Sequence, residues 1–207
     1  MSNEKDSPLV LALDDASATV ELVGGKGASL ARLACAGQPV PPGFHITTAA
    51  YRCFVAEYGL QEQILAAVSA AIADSSSSLE EAAKQIVSLF ARSEISGAIA
   101  EPIRQAYAQL GGGDLSVAVR SSATAEDLPE MSFAGQQETY LNMHGIAMVL
   151  GAVKLCWASL WTARAIDYRA RHGMVPEDVS MAVVVQELGA LTDRLKAPSD
   201  GLRWSAA

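Results

Sequence analysis

Two segments of the 207-residue chain group residues that could handle a phosphorylated ligand. The first is Gly24-Gly25-Lys26-Gly27. Glycines let a backbone approach an anion closely, a helix that follows aims its first N–H groups at it, and a lysine adds a mobile charge. The Walker spacing GxxxxGK[ST] is absent. On its residues alone the segment is either a phosphate contact or a tight turn with a solvated lysine. The second segment runs from Val119-Arg120-Ser121-Ser122-Ala123-Thr124-Ala125-Glu126-Asp127 through Ser132-Phe133-Ala134-Gly135-Gln136-Gln137-Glu138-Thr139-Tyr140. A strand that delivers an arginine into a hydroxyl-rich loop offers a fork of donors matched to phosphate oxygens. Ser, Thr and the Gly135 backbone could wrap a triphosphate or its metal. The alternative is a long surface loop in which Arg120 pairs with Glu126 or Asp127.

The elements that must position these residues follow from pattern. Leu9–Leu13 is a short apolar run and reads as a strand. A helix is expected over 28–36, with Leu30, Leu33 and Ala34 on one face and Gly37 as its C-terminal cap. Pro41-Pro42-Gly43 forces a turn into a strand at 44–47, and Thr47 or Thr48 caps a helix that Gly59 ends. Residues 60–110 read as helical. Leu60, Ile64, Leu65, Val68 and Ile72 form one stripe, Ser78-Leu79-Glu80-Glu81 has capping-box spacing, and a last helix is expected over 102–110. After Gly113 the pattern changes: strands at 116–120, 138–142 and 181–186, a loop over 121–136, and a long helix over 146–170. Strands separated by helices predict an α/β or α+β fold.

Bulk properties exclude some partners. A net charge of -8 argues against a nucleic-acid surface, which needs clustered cations. Cys35, Cys53 and Cys156 lack metal-ligand spacing and read as reduced core thiols. The acidic N-terminus is unlike a signal peptide, and no run reads as a membrane span, so the cytoplasm is the expected location. His45 reads as a core or turn residue, His144 precedes a helix and His172 follows one. Trp157 and Trp161 read as packing residues.

VGGKGASL, the PPGF turn and VRSSATAEDLPEMSFAGQQETYLN together resemble the N-terminal ATP-binding domain of phosphoenolpyruvate synthases, pyruvate phosphate dikinases and rifampicin phosphotransferases. The resemblance spans roughly residues 23 to 186 and implies an ATP-grasp-type lobe with a helical insertion at about 48–110. It implies ATP and Mg2+ as ligands. Lys26 and Arg120 would contact the phosphates, Gly135 and Thr139 would line the phosphate loop, and Gln186 would sit near the adenine. In that family the β-phosphoryl group of ATP passes to a histidine on a separate swivelling domain, and from there to pyruvate or another acceptor. None of the three histidines here sits in the setting of that phosphorylated residue, so no catalytic residue is expected in this chain.

The family pattern fails after Gln186. Residues 187–207 read as a divergent tail, as a truncation, a frameshift or a decayed gene would produce. The expected domain is therefore 1–186, one lobe of a nucleotide site whose second lobe is missing and whose activity alone is small. Two other readings stand beside it: a fragment of rifampicin phosphotransferase or another dikinase, and a non-catalytic interaction module. Mg-dependent nucleotide binding that is lost on Lys26→Ala or Arg120→Ala separates the last from the others.

Overall fold

The computed structural model describes residues 7–73, 76–111, 113, 115–124, 138–175 and 179–189. Its core is a five-stranded antiparallel sheet in the order β1-β2-β5-β3-β4, formed by β1 (Val10–Ala12), β2 (Gly43–Ile46), β3 (Val117–Ala123), β4 (Thr139–Met143) and β5 (Met181–Glu187). Helices accompany it: α1 (Val20–Cys35), α2 (Thr48–Glu57), α3 (Leu60–Ala73), α4 (Ser76–Arg92), α5 (Gly97–Leu110), α6 (Gly145–Ala158) and α7 (Ala163–Arg171). All neighbouring strands are antiparallel, so the fold is α+β and not a parallel α/β sheet.

Strand alternation gives the sheet two unlike faces. Phe44, Ile46, Val117, Val119, Val183 and Val185 point into one large core with the buried sides of α2 to α7. That core is rich in aromatic contacts: Phe54 lies 5.0 Å from Trp157 and 5.7 Å from Phe90, centroid to centroid. Directly paired residues share a face, so Leu11, His45, Val184, Ala118, Arg120 and Ser122 lie together on the other. There a small apolar cluster of Leu11, Val23 and Ala28 seats α1 on the strands.

Several helix bounds differ from expectation, each for a packing reason. α5 begins at Gly97, five residues before Pro102, because the earlier turn buries Ile99 and Ala100. That burial offsets the hydrogen bond that Pro102 cannot make inside the helix. α4 starts at Ser76, which places the Ser78–Glu81 spacing inside its first turns. In α3 the buried stripe is Leu60, Ile64, Ala67, Val68 and Ala71, while Ile72 is exposed. The threonines at the start of α2 make long-range contacts in place of a cap: Thr47 Oγ1 donates to the Pro8 carbonyl and Thr48 Oγ1 to that of Glu21, both at 2.7 Å.

The helix expected over 146–170 is two helices joined by a 3-10 turn at Ser159–Trp161. Thr162 is extended and caps α7, its Oγ1 accepting the Ala165 N–H. The turn drives Trp161 into the core, where its Nε1 donates to the Tyr51 hydroxyl at 3.1 Å. Within 145–171 an 18-residue window reaches a mean hydropathy of 1.6, which by length and composition alone would suit a membrane span as well as a buried core helix. Here the run is interrupted at Thr162, and Val149, Val153, Cys156 and Trp157 pack into the core. Of the cysteines only Cys156 is a core thiol; Cys35 and Cys53 are exposed.

Candidate functional site

The glycine–lysine segment sits at a break in α1, with one helical turn before it and the longer helical stretch opening directly after Gly24. α1 starts at Val20, one turn before the glycines, and is broken at Gly24, whose φ of 71° and ψ of 172° are not helical. Only glycine takes that conformation at little cost. Only glycine fits there as well, since a Cβ on Gly24 would overlap the Ser122 carbonyl of β3. Gly24, Gly25 and Gly27 are all buried. Gly24 thus serves the close approach of α1 to β3, while a Cβ on Gly27 would crowd Val23 and the His45 ring.

Two consecutive β3 residues, Ser121 and Ser122, meet this break. The Ser122 hydroxyl donates to the Val23 carbonyl at 2.7 Å and accepts the Gly27 N–H at 3.0 Å. The Ser121 carbonyl accepts from Lys26 Nζ at 2.7 Å. Arg120 extends to the edge of an open cleft of about 850 Å³. Beneath α1, His45 is fully buried, with Nε2 3.2 Å from the Leu13 carbonyl. Burial pushes its pKa down, against smaller upward effects of that carbonyl and of the Asp15 carboxylate.

The cleft lies on the α1 side of the sheet. Its walls include Leu30 of α1, Pro41, Ala118 and Arg120 of β3, Thr139 and Leu141 of β4, and Gln186 to Gly189 at the end of β5. Thr139 is the cross-strand partner of Arg120. Gln186 is buried against the turn before β2, its Nε2 donating to the Pro41 carbonyl at 3.3 Å. The backbone closes around it: Glu187 N–H donates to Pro42, and Leu188 N–H to Ser116, both at 2.9 Å. Arg120 Nε is buried there with no hydrogen-bond partner among the described residues. Most buried polar groups in proteins are paired, so such an atom points to a missing acceptor.

The structure therefore gathers Arg120, Thr139 and Gln186 in one cleft, with Lys26 bound to the carbonyl of the residue after Arg120. Gly135 lies outside the described residues, as do Glu126, Asp127 and the tail from residue 190. Ser121 and Ser122 were assigned to a loop in the sequence but belong to β3 and are buried. The signal was present but weak: the strand start Val117-Ala118-Val119 is followed by no glycine or proline before Ala123 to stop it. His144 and His172 are exposed helix-end residues, away from the cleft walls. No group of three His, Cys, Asp or Glu able to hold a metal occurs among the described residues.

Near the end of β4, two more groups have shifted acidity. Burial and the Glu138 carboxylate hold the Cys156 thiol well above its ordinary value, and the same two causes raise the Tyr140 phenol. Neither group is ionised near neutral pH, so neither offers a nucleophile beside the cleft.

Comparison with known proteins bears on this geometry. The family described as pyruvate phosphate dikinase, AMP/ATP-binding domain matches residues 20–191. The chain is 42% identical over 205 residues to the phosphoenolpyruvate synthase of Pyrococcus furiosus, an alignment covering 82% of this chain and 25% of that protein. It is 47% identical over 186 residues to the phosphoenolpyruvate synthase of Aeropyrum pernix, covering 87% and 23%. For the Deinococcus radiodurans phosphoenolpyruvate synthase the identity is 46% over 173 residues, covering 82% and 22%. The chain thus spans about a quarter of the length of these relatives. The break in α1, the arginine-bearing strand and the cleft between them all fall inside the matched residues, and the chain belongs to the pyruvate phosphate dikinase AMP/ATP-binding domain family.

Proposed function

We propose that the cleft binds ATP and that the chain is the nucleotide-binding part of a phosphoenolpyruvate synthase-type phosphotransferase. The observation that carries this reading is the buried, unpartnered Arg120 Nε at the cleft wall. A buried donor without an acceptor is costly, and a phosphate oxygen would relieve that cost with a charge-assisted bond. Lys26 would add a second cation from the α1 break. Thr139, opposite Arg120, and Gly135 would line the phosphates, and Gln186 at the far end of the cleft would lie beside the adenine.

The fold context is an ATP-grasp arrangement, in which a second lobe closes over the nucleotide. The Mg2+ that the resemblance implies has no protein cage among the described residues, where Glu187 is the one carboxylate in the cleft wall. Phosphoryl transfer to a histidine and then to pyruvate needs a residue that this cleft does not supply, since His45, His144 and His172 are not among its walls. The contribution of this chain is to hold and orient the transferring group, which is where most catalysis of phosphoryl transfer resides.

Isothermal titration of the chain with ATP in the presence of Mg2+ tests the reading. Arg120→Ala and Lys26→Ala should each weaken binding by about tenfold or more, the loss expected for a charged hydrogen bond. Absence of binding to the unmodified chain, or binding indifferent to both substitutions, overturns it.

A further inference from the structure

We infer that Ser122 is a positioning residue: its hydroxyl, inserted into the broken turn of α1, fixes where Lys26 stands relative to Arg120. In an unbroken helix the Gly27 N–H would donate to the Val23 carbonyl four residues back. The conformation of Gly24 opens that bond, and the Ser122 hydroxyl takes both ends, accepting from Gly27 and donating to Val23. A side chain inserted into the helical ladder is a recognised cause of a kink, but this one comes from a strand 95 residues away. Ser122 is fully buried, so its hydroxyl is held by these two bonds and the packing around it.

The consequence concerns Lys26, which stands between Val23 and Gly27, the two residues that the Ser122 hydroxyl clamps. An ammonium on a flexible four-carbon stem is a poor positioning device unless both of its ends are held. Here the base of the stem is held through Ser122, and the ammonium by the carbonyl of Ser121. Arg120 is the preceding residue of the same strand. One strand therefore sets the spacing of both cations, and Ser122 is the link between the strand and the lysine's own backbone. Without the hydroxyl, the Gly27 N–H and the Val23 carbonyl lose their buried partner, and the turn must move to find others. Ser122 acts on the ligand only through Lys26.

This inference rests on the ATP reading for its functional meaning, and its test separates the two. The 207-residue chain is titrated with Mg-ATP and with adenosine, in four forms: unmodified, Ser122→Ala, Lys26→Ala, and both together. In parallel, without nucleotide, the rate of Lys26 acetylation by acetic anhydride is followed by mass spectrometry, with Lys154 as the internal control. Ser122→Ala should weaken ATP binding about tenfold and adenosine binding by less than about twofold. In the Lys26→Ala background its effect on ATP should shrink to less than about twofold, the non-additivity of a pair acting as one unit. Lys26 acetylation should speed up severalfold while Lys154 is unchanged. Additive losses, equal losses for ATP and adenosine, or an unchanged Lys26 rate would each overturn the inference. If the unmodified chain binds no ATP but the Lys26 rate responds to Ser122→Ala, the nucleotide reading falls and the positioning role stands. Should Ser122→Ala not fold, the isosteric pair Ser122→Thr and Ser122→Val carries the same comparison, because the two differ in the hydroxyl alone.

Discussion

On one face of the sheet, Phe44, Ile46, Val119, Val183 and Val185 lie under Tyr51, Phe54, Phe90 and Trp157. On the other, His45, Arg120, Ser122 and Gln186 lie under or beside a single broken helix. The first face is held by apolar area and ring packing, which are non-directional and shared among many residues. The second has an apolar cluster of only three buried residues, and individual polar contacts fix its geometry: Ser122 to the α1 break, Lys26 to Ser121, Gln186 to Pro41. The difference shows how a small domain divides labour. The apolar face supplies rigidity, and the polar face uses it to hold a few charged groups in place, among them Arg120, whose buried Nε has no hydrogen-bond partner among the described residues.

That division can be broken in order of effect. Trp157→Ala removes a fully buried ring from the aromatic cluster and should cost about 3–5 kcal/mol, read from urea unfolding. A loss of less than about 1 kcal/mol would mean that this core is not the main source of stability. Gly24→Ala strikes the polar face where it is tightest. It combines a positive φ with overlap of the Ser122 carbonyl, and should cost about 2–3 kcal/mol. Gly37→Ala is its control: the φ is also 71° but no atom lies within 4 Å, so about 1 kcal/mol is expected. Equal costs at the two glycines would show that strain alone, and not the approach of α1 to β3, governs Gly24.

His45 offers a smaller and pH-dependent effect. Burial lowers its folded pKa below the ordinary value of 6.5, so the unfolded chain binds a proton first as the pH falls. Stability should therefore be unaffected by this group above about pH 6.5. Below that it should fall, by at most about 1.4 kcal/mol per pH unit, until the folded pKa is reached. Urea midpoints measured from about pH 8 to about pH 5.5 check the sign, and His45→Gln should flatten that part of the profile. Arg120→Ala marks the lower limit. It should cost no more than about 0.5 kcal/mol of stability and can raise it, since the buried Nε has no partner among the described residues to lose.

Much of this was legible from the residues. The five strands, expected at 9–13, 44–47, 116–120, 138–142 and 181–186, and the helix-ending glycines Gly37 and Gly59 came from local pattern, whereas Arg120, Thr139 and Gln186 were singled out by the family resemblance. Gly37 closes α1 with its own N–H on Ala34 and the Gln38 N–H on Leu33, a local motif that a local reading can find. What was missed depended on distant partners. Nothing near Ser122 announces that its hydroxyl will complete a helix 95 residues earlier. Ile99 and Ala100 extend α5 past a proline only because the core accepts them, and Trp161 breaks a long helix to reach Tyr51. The approach of Gly24 to Ser122 is of the same kind, since its partner is a strand almost a hundred residues later.

Hydrogen–deuterium exchange of the chain with and without Mg-ATP tests the central claim most directly, because it reads both faces at once. The account predicts added protection at the α1 break, along 118–122, at 139–142 and at 186–189, with the helices α3 to α5 unchanged. Protection that falls on those helices, or none at all at saturating nucleotide, would contradict it.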